Sequence, residues 1–110
     1  MTDTATRQDR WDRLAADLAA ADIQGRIDRK PWQGTEYGRV VHGVSSSIWI
    51  AVPDKGGVSI SDKYGRGGKW YGFSVTAEDR EGIVVGRFGW AQPKRSVAVT
   101  EAQAALGRLS

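Results

Sequence analysis

The apolar residues of this chain change their period once, near Pro31, and that change decides the fold class. Before it, Trp11, Leu14, Leu18 and Ala21 recur at spacings of three, four and three, the stripe of an amphipathic helix. This stripe predicts a helix over residues 7–24 behind a disordered tail at 1–6. Thr6 and Asp9 stand in capping-box relation at its start, and Gly25 offers a left-handed cap at its end. After Pro31 the apolar residues alternate, as strands with one buried face require.

The alternation predicts an antiparallel sheet of about five strands between residues 36 and 99. Tyr37 to Val44 forms the first strand, with His42 half-buried among Val40 and Val44, and Ser45-Ser46-Ser47 turns the chain. Ile48 to Val52 is a continuous apolar run suited to a central strand covered on both sides. Pro53 to Gly57 carries turn chemistry, and Val58 to Ser61 alternates cleanly. Trp70 to Thr76 and Ile83 to Trp90 supply two more strands, and Val97-Ala98-Val99 a short edge strand. Thr100 and Gln103 form a capping box for a closing helix over 100–109, with Ala102, Ala105, Leu106 and Leu109 on its apolar side. The expectation is one α+β domain spanning 1–110, its core drawn from Leu14, Leu18, Ile48, Ile50, Ile60, Phe73, Val75, Val85 and Leu106.

Composition removes whole classes of chemistry. With no cysteine there is no disulfide, thiolate metal site or cysteine nucleophile, and with His42 alone no multi-histidine metal site. Ser45-Ser46-Ser47 lacks the strand–turn–helix setting of a nucleophile elbow. Gly65-Arg66-Gly67-Gly68 lies between two strands, whereas a phosphate-binding glycine loop must open a helix. Pro53-Asp54 with Asp62-Lys63 lacks the spacing of a metal-dependent nuclease, because adjacent strand residues point to opposite faces. Glu78, Asp79 and Glu81 sit in a turn where solvation explains them better than metal binding. The residues therefore argue against an enzyme and predict no catalytic group, metal or cofactor.

Charge narrows the remaining classes. The net charge is +3, and its distribution is uneven. Residues 1–22 carry a balance of −2, residues 23–75 one of +4, and residues 76–110 one of +1. The middle of the chain therefore favours an anionic partner. Within it, Lys63-Tyr64-Gly65-Arg66-Gly67-Gly68-Lys69-Trp70-Tyr71 interleaves three cations, three aromatics and three glycines. Lysine and arginine neutralise phosphates, and aromatic rings stack on unpaired bases.

The leading expectation is a small non-enzymatic module that binds DNA or RNA. Its candidate residues are Lys63, Tyr64, Arg66, Lys69, Trp70 and Tyr71 of this hairpin, joined by Arg87, Lys94 and Arg95. The alternative is a protein-interaction module, docking on a partner or self-assembling through Trp32 and Trp90, since tryptophan is enriched at interfaces. Trp11 and Trp49 are expected in the core, and Trp32 in a loop. No apolar run of membrane-spanning length and no secretory leader is visible, so the expected compartment is the cytoplasm. The arginine, alanine and glycine bias suggests a GC-rich bacterium, or an accessory factor of its phages or plasmids.

Overall fold

A computed structural model of the protein describes residues 3–64 and 70–109. An N-terminal helix, α1 (Asp3–Ala20), is followed by five strands and a closing helix. The strands are β1 (Arg26–Glu36), β2 (Arg39–Val52), β3 (Gly56–Tyr64), β4 (Trp70–Asp79) and β5 (Val84–Gln92), and the last helix is α2 (Arg95–Leu109). The sheet is an antiparallel meander in the order β1-β2-β3-β4-β5, so the architecture is α+β as the change of period implies.

The boundaries differ from the sequence expectation at both helices. Residues 3–6 are helical rather than a disordered tail, and Thr6 and Asp9 lie inside α1 rather than at its cap. At the other end Asp22, not Gly25, takes the left-handed conformation (φ 62°). The Asp22 N–H donates to the Ala19 carbonyl at 3.0 Å and the Ile23 N–H to the Leu18 carbonyl at 2.9 Å, the paired bonds of a Schellman cap. Gly25 serves packing instead. A Cβ there would lie 2.5 Å from Ile48 Cγ2, too close for any side chain to fit without displacing the core.

α2 begins at Arg95, so Val97-Ala98-Val99 is helical and not an edge strand. Ala98 extends the stripe of Ala102, Ala105 and Leu109 by one turn, and all four are buried. Thr100 sits inside the helix and donates its hydroxyl to the Ser96 carbonyl at 3.1 Å. Helical spacing thus prevails over the strand preference of the two valines.

The sheet starts ten residues earlier than expected, because β1 carries few apolar residues and contains Pro31. Proline is tolerated there since β1 is an edge strand, paired only with β2. Trp32 accordingly stands on a strand and not in a loop. Ser45-Ser46-Ser47 is likewise strand, so β2 runs unbroken through the expected turn. Its pairing with β3 covers only Ser47–Val52, whereas β1 follows it as far as Glu36↔Arg39. The outer parts of β1 and β2 therefore form a two-stranded ribbon. Tyr37 and Gly38 close it with both φ positive (51° and 76°), the geometry of a two-residue hairpin turn. On this ribbon His42 is exposed, not half-buried among valines.

Both helices pack on one face of the sheet. The core joins Trp11, Leu14 and Leu18 of α1 to Ile48, Ile50, Val58, Ile60, Phe73 and Val75 of β2 to β4, and to the alanine stripe of α2. Val85 is exposed and Leu106 only half-buried, contrary to expectation. β2 is covered on one side alone, for Ile48 and Ile50 are buried while Trp49 is half-buried and Ala51 exposed.

Candidate functional site

The opposite face is where the unexplained residues gather. The register aligns Arg26, Trp49, Ser59, Thr76 and Arg87 in one rung across all five strands. A second rung aligns Asp28, Ser47, Ser61 and Ser74. Successive strand residues face opposite sides, so these residues lie on the side away from the helices. Their exposure agrees: Ser61, Arg26 and Arg87 are exposed, and Ser47, Ser59, Ser74 and Thr76 half-buried.

This face is a floor of small hydroxyls with cations at its margins. Arg26 and Arg87 are separated by four interstrand steps, about 19 Å. Lys63 is exposed and pairs with Gly72, four residues along β4 from the Thr76–Arg87 pair, about 13 Å away. Lys30 adds a further exposed cation, 3.6 Å from Asp28. Trp49 supplies the aromatic surface. Its six-membered ring rests on Gly57, where a Cβ would lie 2.4 Å from Cζ2, so only glycine seats the indole this way. Ordered by a rigid sheet rather than a loop, these groups can bind phosphates, hydrogen-bond polar edges and stack on a planar ring.

The residues expected from the basic hairpin separate into different roles. Arg66 and Lys69 lie outside the described residues, as does the side chain of Tyr64. Lys63 belongs to the open face, and Tyr71 is 52% exposed. Tyr71 is the extra residue of a bulge, since Lys63 pairs with Gly72 and Tyr64 with Trp70.

That bulge turns Trp70 toward the helices. Its Nε1–H donates to Asp62 Oδ1 at 2.7 Å, and the Trp11 Nε1–H donates more weakly to Asp62 Oδ2 at 3.4 Å. Both indoles meet Phe73 edge to face, at centroid distances of 5.1 and 5.2 Å. The Arg10 guanidinium stacks 3.5 Å above the Trp70 ring, with Nη1 3.9 Å from Asp62 Oδ1. The Asp62 side chain is only 7% exposed. Trp70 therefore holds β4 to α1 and is not placed to stack on a base.

Of the other expected cations, Arg87 lies on the central rung and Lys94 is exposed before α2. Arg95 is engaged elsewhere, its Nε donating to Asp17 Oδ2 of α1 at 2.8 Å. The turn acids also have a local role. Asp79 Oδ1 accepts the N–H groups of Glu81 and Ile83, both at 2.9 Å, and shapes the β4–β5 turn. Among the described residues there is no group of three or more potential metal ligands. Trp32 and Trp90 stand on β1 and β5, the opposite edge strands, so the sheet does not join them into one patch.

Sequence reasoning missed Arg26 and Trp49 as members of this face. The alternation of Val58-Ser59-Ile60-Ser61 marked the hydroxyl side of β3, and the same parity carried across the pairs leads to both. Among the described residues no helix is long and apolar enough to cross a membrane. Comparison with family models, curated proteins and solved structures finds no match to the chain.

Proposed function

We propose that the protein is a non-enzymatic nucleic-acid-binding module, with DNA or RNA lying on the sheet face opposite the helices. The observation that supports this reading is the rung Arg26–Trp49–Ser59–Thr76–Arg87, a cation at each edge with an indole and two hydroxyls between. Arginines there neutralise phosphates, hydroxyls accept or donate to sugar and base edges, and the flat floor tolerates many sequences. Lys63 continues the positive margin toward the β3–β4 hairpin, to which Arg66 and Lys69 belong in sequence. Trp70 and Arg95 drop out of the binding set, since one is packed against Asp62 and the other paired with Asp17.

A salt titration tests the proposal. Affinity falls with salt at a log–log slope of about −0.9 per phosphate contact on duplex and about −0.7 on single strands. Replacing Lys63 and Arg87 together by alanine flattens that slope by up to about two contacts' worth in the same measure. An unchanged slope in the double variant removes this face from the interface. Binding of oligonucleotides that is weak, and lost from a Trp32→Ala or Trp90→Ala variant together with a dimer peak in gel filtration, supports the protein-interaction alternative.

A further inference from the structure

The open face carries a depression where β1 ends short of β2. β1 begins its pairing at Arg26↔Trp49 while β2 continues to Val52, so the last residues of β2 have no neighbour on that side. The gap is a depression of about 250 Å³ lined by Gln24, Gly25, Arg26, Trp49 and Ala51. Its size lies below the roughly 300–1,000 Å³ of pockets that enclose a drug-sized ligand, and suits one planar ring system better than a whole nucleotide. Its lining is equally specific. The Trp49 ring lies against Gly57, and two exposed polar residues, Gln24 and Arg26, share the lining with it.

We infer that this depression receives a single unpaired base of a DNA or RNA strand. The base stacks on the Trp49 indole, the Gln24 amide hydrogen-bonds to its edge, and Arg26 takes an adjoining phosphate. The inference rests on the nucleic-acid reading above and specifies it, because a base inside a duplex cannot enter the depression. The occupant is single-stranded, and the strand crosses the sheet from Arg26 toward Arg87. Charge complementarity supports that path: the two ends of the rung are cationic and its middle is neutral.

The test uses the full chain and a fluorescein-labelled twelve-nucleotide oligothymidylate, with a duplex of equal length as comparison. Trp49→Ala is expected to weaken single-strand binding about five- to 150-fold without changing the salt slope, and to weaken duplex binding far less. Trp49→Phe restores most of the affinity, since a ring remains. Ala51→Glu, at an exposed position, closes the depression with a carboxylate and weakens the single strand in parallel. Wild-type affinity in both Trp49→Ala and Ala51→Glu overturns the base pocket. If Lys63→Ala/Arg87→Ala still flattens the slope in that case, the nucleic-acid reading stands without the pocket. If the wild-type chain shows no salt-dependent binding to either oligonucleotide, both fail together.

Discussion

The two faces of this sheet are made by the same strands and do opposite things with their side chains. On the helix face, Ile48, Ile60, Phe73 and Val75 are buried, and the Asp62 carboxylate beside them accepts from two indoles. On the open face the corresponding alternate positions are serine, threonine, arginine and one tryptophan, left half-buried or exposed. The tryptophans sharpen the contrast. Trp11 and Trp70 donate their N–H groups to one carboxylate and pack edge to face on Phe73, whereas Trp49 lies against a glycine and lines a depression. The same residue type thus builds the fold on one side and offers a surface on the other.

The strongest way to break this comparison is to truncate the helix face. Phe73→Ala removes a fully buried ring and both edge-to-face contacts, and is expected to cost about 3–5 kcal/mol, most of the stability of a domain this size. Urea unfolding measures it. A cost under about 1 kcal/mol means that the helices do not seal that face. Next in size is Asp62→Ala, expected to cost about 1–3 kcal/mol because it deprives two largely buried indole N–H groups of their acceptor and Arg10 of its opposite charge. Combined with Trp70→Phe, the losses add to less than their sum, since both remove the same hydrogen bond. Full additivity in that cycle dissolves the cluster into separate contacts. Arg87→Ala, on the open face, is expected to change stability by no more than about 0.5 kcal/mol. A thermal midpoint several degrees lower in that variant assigns Arg87 to folding rather than to binding.

Legibility in the sequence follows the same division. The helix face announces itself by spacing: Trp11, Leu14 and Leu18 mark α1, and Ile48, Ile50, Ile60, Phe73 and Val75 mark the strands, because burial demands apolar residues at fixed intervals. β1 is hidden because an edge strand with one covered side needs little apolar sequence, and among its described residues Ile27 is the hydrophobic one packed on the core. The first turn of α2 is hidden because Val97 and Val99 favour a strand locally while Ala98 completes a helical stripe. The open face was harder still. Arg26 and Arg87 are 61 positions apart, and only the register Arg26↔Trp49↔Ser59↔Thr76↔Arg87 reveals that they share a rung. The cationic hairpin drew attention by composition, yet a single bulged residue, Tyr71, sends Trp70 to the opposite side from the one its alternation implies.

The smallest expected effect concerns Glu101, a carboxylate whose titration is displaced by burial. Glu101 lies on α2, half-buried, and its Oε2 atom is buried without a hydrogen-bond partner. Burial penalises the charged form and raises its pKa above the ordinary 4.5. The folded chain therefore holds this proton more tightly than the unfolded chain does. Between 4.5 and the raised folded value the native state binds more protons, so the contribution of Glu101 to stability declines as pH rises through that window and stays lower above it. Glu101→Gln keeps the shape and deletes the charge. The variant is expected to be slightly more stable than the wild type at pH 7, with the difference shrinking toward zero as pH falls below the window and the wild-type carboxyl becomes neutral as well. Paired urea midpoints at pH 7 and pH 4 decide the matter: an equal gain at both pH values attributes the effect to packing of the amide, while a gain confined to pH 7 identifies the buried charge as its cause.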